Sequence, residues 1–358
     1  MAAASLLGRS DEVWQSAGSE GIVVGKWRVL ELFAGLGGLA CSWPEAEIAV
    51  ALDINVNAQQ LYRLNFHHDY RLRTLESMSP ATLQRFGANF WWMSPPCQPF
   101  SRRGHGLGLA DPRSAAFLNI LQAIDAVRPE ALGLENVHGF QGSEAHASLK
   151  AILHQHGYYT IEQELCPSQF GWPNLRPRFY LLACRQPLPD WQPTPQYGLR
   201  LIDQLDEMPG ASPLWISAEV VRRFESAMDR VDALDARAIS SCFGSSYGKS
   251  ILHAGSYVRY GERYRRFSPR EIARVLGFPE GFRLVPGEAP GDVTGPRGER
   301  ASARPAGVSL NARPVWKLLG NSLSLPVVRY VLSHLPDGPA TWLPWADDYS
   351  SPRSSSSR

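Results

Sequence analysis

A chain of 358 residues, 44% hydrophobic and 20% charged, has the balance of a soluble globular protein and the length for a large core plus a smaller second domain. Thirty-six Lys and Arg against 34 Asp and Glu leave a formal net charge of +2, so no global field advertises nucleic acid, and any such surface must be local. Five cysteines without a Cys-x-x-Cys pair argue against a disulfide scaffold or zinc site and suggest reduced thiols in the cytosol or nucleus.

Residues 1–25 carry Asp11, Glu12 and Glu20 and no continuous apolar run. Neither a signal peptide nor a membrane span is expected there, and the stretch reads as disordered, as does the Ser-rich end, Ser350 to Arg358, of a tail over 341–358. Trp27 to Phe33 is a mostly apolar segment followed at once by Ala34-Gly35-Leu36-Gly37-Gly38-Leu39-Ala40. That is the strand, glycine turn and helix start of a nucleotide-binding α/β unit, where small residues let a ligand approach the backbone. It is not a P-loop, because no Gly-Lys-Ser/Thr follows, and Gly35 with Gly37-Gly38 does not give the Gly-x-Gly-x-x-Gly of dinucleotide enzymes. A tight turn without a ligand is the plainer alternative.

Ile48 to Asn55 reads as a second apolar strand ending in Asp53, an acid about 20 residues beyond the glycines. Such an acid can accept hydrogen bonds from both ribose hydroxyls of an adenosine cofactor, or it can cap the helix expected from Val56. Phe90-Trp91-Trp92 is a short buried strand that Pro95-Pro96 must end, which fixes Cys97 on a stiff loop. An open α/β sheet places its chemistry at such strand ends, and a thiolate is a strong nucleophile; an inert buried thiol is the alternative. Ser101 to Arg113 holds Gly104, Gly106 and Gly108 and is expected to close over a substrate, with Arg102, Arg103 and Arg113 on phosphates or merely in solvent.

Phe117 to Val127 has apolar residues at helical spacing and stops at Arg128-Pro129. Ala131 to Leu134 is a further buried strand, leading to Glu135-Asn136-Val137. Glu135 is either half of a salt bridge or, if desolvated, a carboxyl that can hold and deliver a proton. A helix over 149–156 and strands over 158–165 and 179–184 follow, with Arg176 and Arg178 between the last two. Strand alternation would send these arginines to opposite sides. Four prolines from Pro187 to Pro195 mark a boundary, and 190–265 lack the earlier strand-helix alternation. That region contains Cys242-Phe243-Gly244-Ser245-Ser246-Tyr247 and the cluster Arg259, Arg263, Arg265 and Arg266 interleaved with aromatics. The mixture suits a nucleic-acid surface or a solvated, salt-bridged face. Ser268-Pro269-Arg270-Glu271 is a capped helix start, 285–313 reads as a flexible insertion, and Gly320-Asn321-Ser322 precedes a final apolar helix over 327–335.

In this order, from about residue 27 to 335, the segments resemble the cytosine carbon-5 methyltransferases. The cofactor loop is matched by Phe33 to Gly38, the nucleophile motif by Pro95-Pro96-Cys97-Gln98, and the acid motif by Glu135-Asn136-Val137. Arg176-Pro177-Arg178 matches the paired-arginine motif and Gly320-Asn321-Ser322 the last cofactor motif. Within the family the likeness is to the branch that looks like DNA methyltransferases but methylates transfer RNA in the anticodon loop, chiefly aspartate tRNA. The pointers are Pro99-Phe100-Ser101-Arg102, Glu135 to Phe140, and Cys242-Phe243, where Gly244 replaces that branch's threonine.

The resemblance implies an α/β fold: a Rossmann-like S-adenosylmethionine-dependent methyltransferase sheet with a small target-recognition domain. The catalytic part would span 26–188 and 268–340, with target recognition at 189–267. It implies catalytic roles for Cys97, Glu135, Arg176 and Arg178. Phe33, Ala34, Gly35, Gly37, Gly38, Leu39, Asp53, Ile54, Glu76, Pro96, Asn321 and Ser322 would hold S-adenosylmethionine. Gln98, Arg102, Arg103, Asn136, Cys242, Phe243, Tyr247 and Arg265 would meet the substrate. Cys97 would add to carbon 6 of cytosine, protonated Glu135 would serve nitrogen 3, and the arginines would divide support of the base carbonyl from support of the cysteine or a phosphate. The expected partner is tRNA, with duplex DNA as the alternative, no metal, no membrane, a monomer, and a cytoplasmic or nuclear setting. A catalytically dead nucleic-acid-binding relative and a nicotinamide oxidoreductase are the other readings.

Overall fold

Strands form where the apolar runs predict them. In the computed structural model, which describes residues 27–96, 114–207, 210–232, 234–285 and 312–346, seven strands make one sheet. They are β1 (Arg28–Leu32), β2 (Glu47–Asp53), β3 (Tyr70–Leu72), β4 (Phe90–Met93), β5 (Ala131–Asn136), β6 (Tyr159–Leu165) and β7 (Arg178–Cys184), in the order β3-β2-β1-β4-β5-β7-β6. Pairs among β1 to β5 are parallel, and β7 runs antiparallel to both β5 and β6.

Alternate residues of the central strands feed two separate cores, which is why these strands read as continuous apolar runs. Val29, Phe90, Trp92, Ala131 and Leu182 pack on one face, and Leu30, Leu32, Trp91, Met93, Leu132 and Leu181 on the other. Chain order reverses across the sheet between β1 and β4, so the carboxyl ends of these strands flank the crevice where doubly wound sheets bind ligands.

The helices are α1 (Gly38–Ser42), α2 (Val56–Asn65), α3 (Pro80–Gln84), α4 (Ala115–Val127), α5 (Glu144–Gln155), α6 (Ala218–Phe224), α7 (Pro269–Leu276), α8 (Ala312–Gly320) and α9 (Leu325–Leu332). Asn55, not Asp53, caps α2: its side chain accepts from the backbone of Asn57 and Ala58 at 3.0 and 3.2 Å. The helix expected from 149 begins at Glu144, because the Ser143 hydroxyl caps it. Ser268 and Glu271 complete the expected reciprocal cap of α7. Ala312 and Arg313, expected inside the flexible insertion, instead open α8; residues 286–311 lie outside the described set.

Beyond β7 a small sheet forms in the order β10-β9-β8 from β8 (Asp229–Asp232), β9 (Ser256–Tyr260) and β10 (Arg263–Arg265). Phe243, Tyr247, Tyr257 and Val258 of this region belong to the same apolar cluster as Phe90 and Trp92, so the small sheet shares a core with one face of the large one. Among the described residues no helix is long and apolar enough to cross a membrane.

Candidate active site

A cavity of about 420 Å³ opens at the carboxyl ends of β1, β2, β4 and β5. Its floor is the turn after β1. Phe33, Gly35 and Gly37 all have positive φ, at 58°, 55° and 94°, so the chain folds sharply out of the strand and into α1. Gly37 is obligatory, since a Cβ there would lie 2.5 Å from the Phe66 ring in a conformation other residues resist. Asp53, at the tip of β2, holds this turn. Its Oδ2 accepts the Gly35 N–H at 2.8 Å, and Oδ1 accepts those of Ile54 and Asn55 at 2.7 and 2.9 Å. A carboxylate has about four lone-pair sites, so three bonds leave one, on Oδ2, rather than acceptors for two hydroxyls.

At the other end stands Glu135, set by β5 between β4 and β7. Arg178 Nε lies 3.2 Å from Glu135 Oε1. Burial raises the Glu135 carboxyl above its ordinary value, against the opposing pull of Arg178, Arg176 and the Ser94 hydroxyl. A buried carboxyl that holds its proton more tightly than usual is suited to donate to a ring nitrogen. Asn136 is buried and is a positioning group: its Nδ2 donates to the Pro95 carbonyl at 3.2 Å, while its Oδ1 accepts from Val137 N at 2.8 Å. It thereby fixes the Pro95-Pro96 segment that leads to Cys97.

The two arginines do not diverge. Arg176 precedes β7, so strand alternation does not apply to it, and both guanidinium groups reach the Cys242 sulfur, Arg176 Nη1 at 3.3 Å and Arg178 Nη2 at 3.5 Å. Arg176 is 3% exposed; it also donates to the carbonyls of Phe243, Gly320 and Ser322, and its Nε is buried without a partner among the described residues. Arg176 itself lines the cavity.

Phe33, Ala34, Gly35, Gly38, Asp53, Ile54, Glu76, Pro96, Asn321 and Ser322 line the cavity, with Ile54 72% exposed. Leu39 does not: its side chain is fully buried in the core beneath the turn. Gly37 shapes the turn without lining it. Three expected substrate contacts are interior residues. Phe243 packs edge-on against Tyr247 and Phe267. The Tyr247 hydroxyl donates to Ser256 O and accepts from Phe267 N, both at 2.9 Å. Arg265 is fully buried in a bidentate pair with Glu271, both bonds at 2.8 Å. Cys97, Gln98, Arg102 and Arg103 lie outside the described residues.

Sequence reasoning passed over Ser94, beside Glu135, and Glu31, a fully buried carboxyl lining the cavity from β1. Burial lifts Glu31 to about 8, and the Tyr62 hydroxyl, 3.3 Å away, donates to it. An acid inside an apolar strand was the available signal. Among the described residues no group of three or more His, Cys, Asp or Glu is placed to hold a metal ion.

Residues 27–204 match the family model for C-5 cytosine-specific DNA methylases. The chain is 30% identical over 340 residues to the tRNA (cytosine(38)-C(5))-methyltransferase of Schizosaccharomyces pombe, covering 86% of this chain and 96% of that one. It is 26% identical to a DNA (cytosine-5)-methyltransferase of Dictyostelium discoideum over 86% of this chain and 94% of that one. The crystal structure of the S. pombe Dnmt2 methyltransferase superposes with a TM-score of 0.70 at 29% identity, covering 86% of this chain and 97% of that one.

Proposed function

From the premise that this chain belongs to the C-5 cytosine-specific DNA methylase family, we propose that it transfers a methyl group from S-adenosylmethionine to carbon 5 of a cytosine in a tRNA anticodon loop, aspartate tRNA being the first acceptor to try. The observation that carries this is the grouping, in one cavity, of a protonatable Glu135, two arginines, an acid-held glycine turn and Pro95-Pro96 leading directly to Cys97.

The residues present fit the methyl donor. The cavity has the size of a small-molecule site, its floor is bare backbone around Gly35, Asp53 offers one open acceptor position to a ribose hydroxyl, and exposed Ile54 offers an apolar face to the adenine. When bound, S-adenosylmethionine supplies an electrophilic methyl. The rest of the chemistry falls to the protein. Carbon 5 of cytosine is a weak nucleophile until carbon 6 carries a thiolate, the role assigned to Cys97. Addition pushes charge into the ring, and Glu135 meets it by holding its proton toward nitrogen 3. Arg178 supports Glu135, and Arg176, which lines the cavity, is assigned to the base carbonyl. Release of Cys97 follows loss of the carbon 5 proton.

Attack on carbon 6 and transfer to carbon 5 require the cytosine to leave its stack, and a loop yields one at lower cost than a duplex. The full-length likeness to the S. pombe tRNA enzyme supports the same choice. Incubation with tritiated S-adenosylmethionine and either total tRNA or duplex DNA tests it. Label is expected in tRNA. Label in DNA alone would overturn the acceptor, and label in neither would overturn the reaction.

A further inference from the structure

Cys242 has no established part in this site, yet it touches both arginines. Its sulfur lies 3.3 Å from Arg176 Nη1 and 3.5 Å from Arg178 Nη2, and Arg178 in turn lies 3.2 Å from Glu135. The Arg178 guanidinium is therefore shared between a carboxyl and a thiol, each able to carry a negative charge. The geometry favours charge on the sulfur. Two guanidinium groups face it, whereas Glu135 is reached directly by one. Among the described residues, Cys242 as a thiol donates to the Phe243 carbonyl, at 3.6 Å, an acceptor already engaged by Arg176.

We infer that Cys242 is a positioning residue that stands as a thiolate between Arg176 and Arg178, drawing Arg178 charge away from Glu135 so that Glu135 keeps the proton it must present to the cytosine. This rests on the proposed methyl transfer only for Glu135's role; the competition for Arg178 is a property of the protein alone. Electrostatics run in the same sense. Burial pushes the Cys242 thiol up, but the two arginines outweigh it and hold it below the usual thiol range, while Glu135 stays raised. Among the described residues, the other titratable side chains facing the group are Tyr180, across from Glu135 on β7, and Cys166, whose sulfur faces the Asn174 carbonyl. Burial lifts the Tyr180 hydroxyl far above its ordinary value, and the Cys166 sulfur accepts from the Ser168 hydroxyl at 3.1 Å.

Two measurements separate this from a packing role. The first needs no activity: alkylation by iodoacetamide across pH, read at the Cys242 peptide by mass spectrometry in the full-length protein. Half-maximal labelling is expected below the ordinary thiol midpoint near 8.5, and Glu135→Gln, which puts a neutral amide where the carboxyl already keeps its proton, should leave it in place. A midpoint at the ordinary value, or one that falls by about a unit in Glu135→Gln and so shows Glu135 carrying the charge opposite Arg178, overturns the inference. The second is the pH profile of single-turnover methyl transfer. Without the thiolate, Arg178 acts on Glu135 alone, so Glu135 loses its proton at lower pH. The alkaline limb should move down by about one unit in both Cys242→Ala and Cys242→Ser. A serine variant with the wild-type limb would show that shape, not charge, is what matters. If no nucleic acid is methylated, the proposed reaction fails while the alkylation series still decides the role of Cys242.

Discussion

Replacing Glu271 with alanine tests whether Arg265 belongs to the interior or to an RNA surface. Arg265 and Glu271 are both fully buried, joined by two bonds of 2.8 Å, and Glu271 also accepts the backbone N–H groups of Ser268 and Asp206 at 2.7 Å. The alanine variant strips all four bonds and strands a guanidinium in the core. Breaking a buried pair this way costs about 3–5 kcal/mol. For a chain of this size, at roughly 2 °C per kcal/mol, that is a fall in Tm of about 6–10 °C. Thermal unfolding followed by circular dichroism reads it. The companion is Arg265→Met with Glu271→Leu, which removes both charges and should recover to within about 2 kcal/mol of wild type. A single-variant loss below about 1 kcal/mol would refute the buried-pair account, because that is the range of exposed pairs. Since Arg265 is interior, the double variant should keep the salt dependence of tRNA binding. A slope reduced by about 0.7–0.9 would return Arg265 to a phosphate.

Asp53→Asn puts an amide donor against Gly35 N–H or against the ribose, so S-adenosylmethionine affinity by calorimetry should weaken about 10- to 100-fold; an unchanged Kd removes Asp53 from the site. Glu135→Gln should cut the single-turnover rate by about 10²–10⁴ with the fold intact, and an unfolded variant would instead make Glu135 structural. Glu31 is raised from 4.5 to about 8 in the folded chain, so folding takes up a proton between those values. The wild type should be most stable, relative to Glu31→Gln, below pH 4.5 and lose that margin as pH rises through about 8. Parallel denaturation curves across this window would remove Glu31 as the cause.

The large sheet was legible because its strands are apolar on both faces and each ends in a distinctive signal: the glycines after Leu32, Asp53, Pro95-Pro96 and Glu135. Those signals also mark the cavity lining. What sequence could not supply was direction and depth. Arg265 and Tyr247 sit in a stretch rich in Arg and Tyr that reads as surface, but Glu271, drawn on as a helix cap, turns Arg265 inward. Alternation misplaced Arg176 because the strand begins two residues later, and a backbone bridge between Asn174 and Ser240 sets its course instead. Leu39 illustrates the same limit, since a motif names neighbours of a ligand without telling which side chains face it.

Gly320 bears on how freely this lobe could be exchanged. A Cβ at Gly320 would lie 2.4 Å from the Gly244 carbonyl carbon and 2.6 Å from Ser245 N, and Arg176 spans the same junction by donating to Gly320 and Phe243. The segment after Cys242 is thus seated backbone to backbone on the end of α8. A chimera that grafts a foreign recognition segment onto this sheet would have to bring a matching 242–245 backbone with it. Substitutions confined to exposed positions of the small sheet, such as Arg259 and Arg263, leave that junction intact.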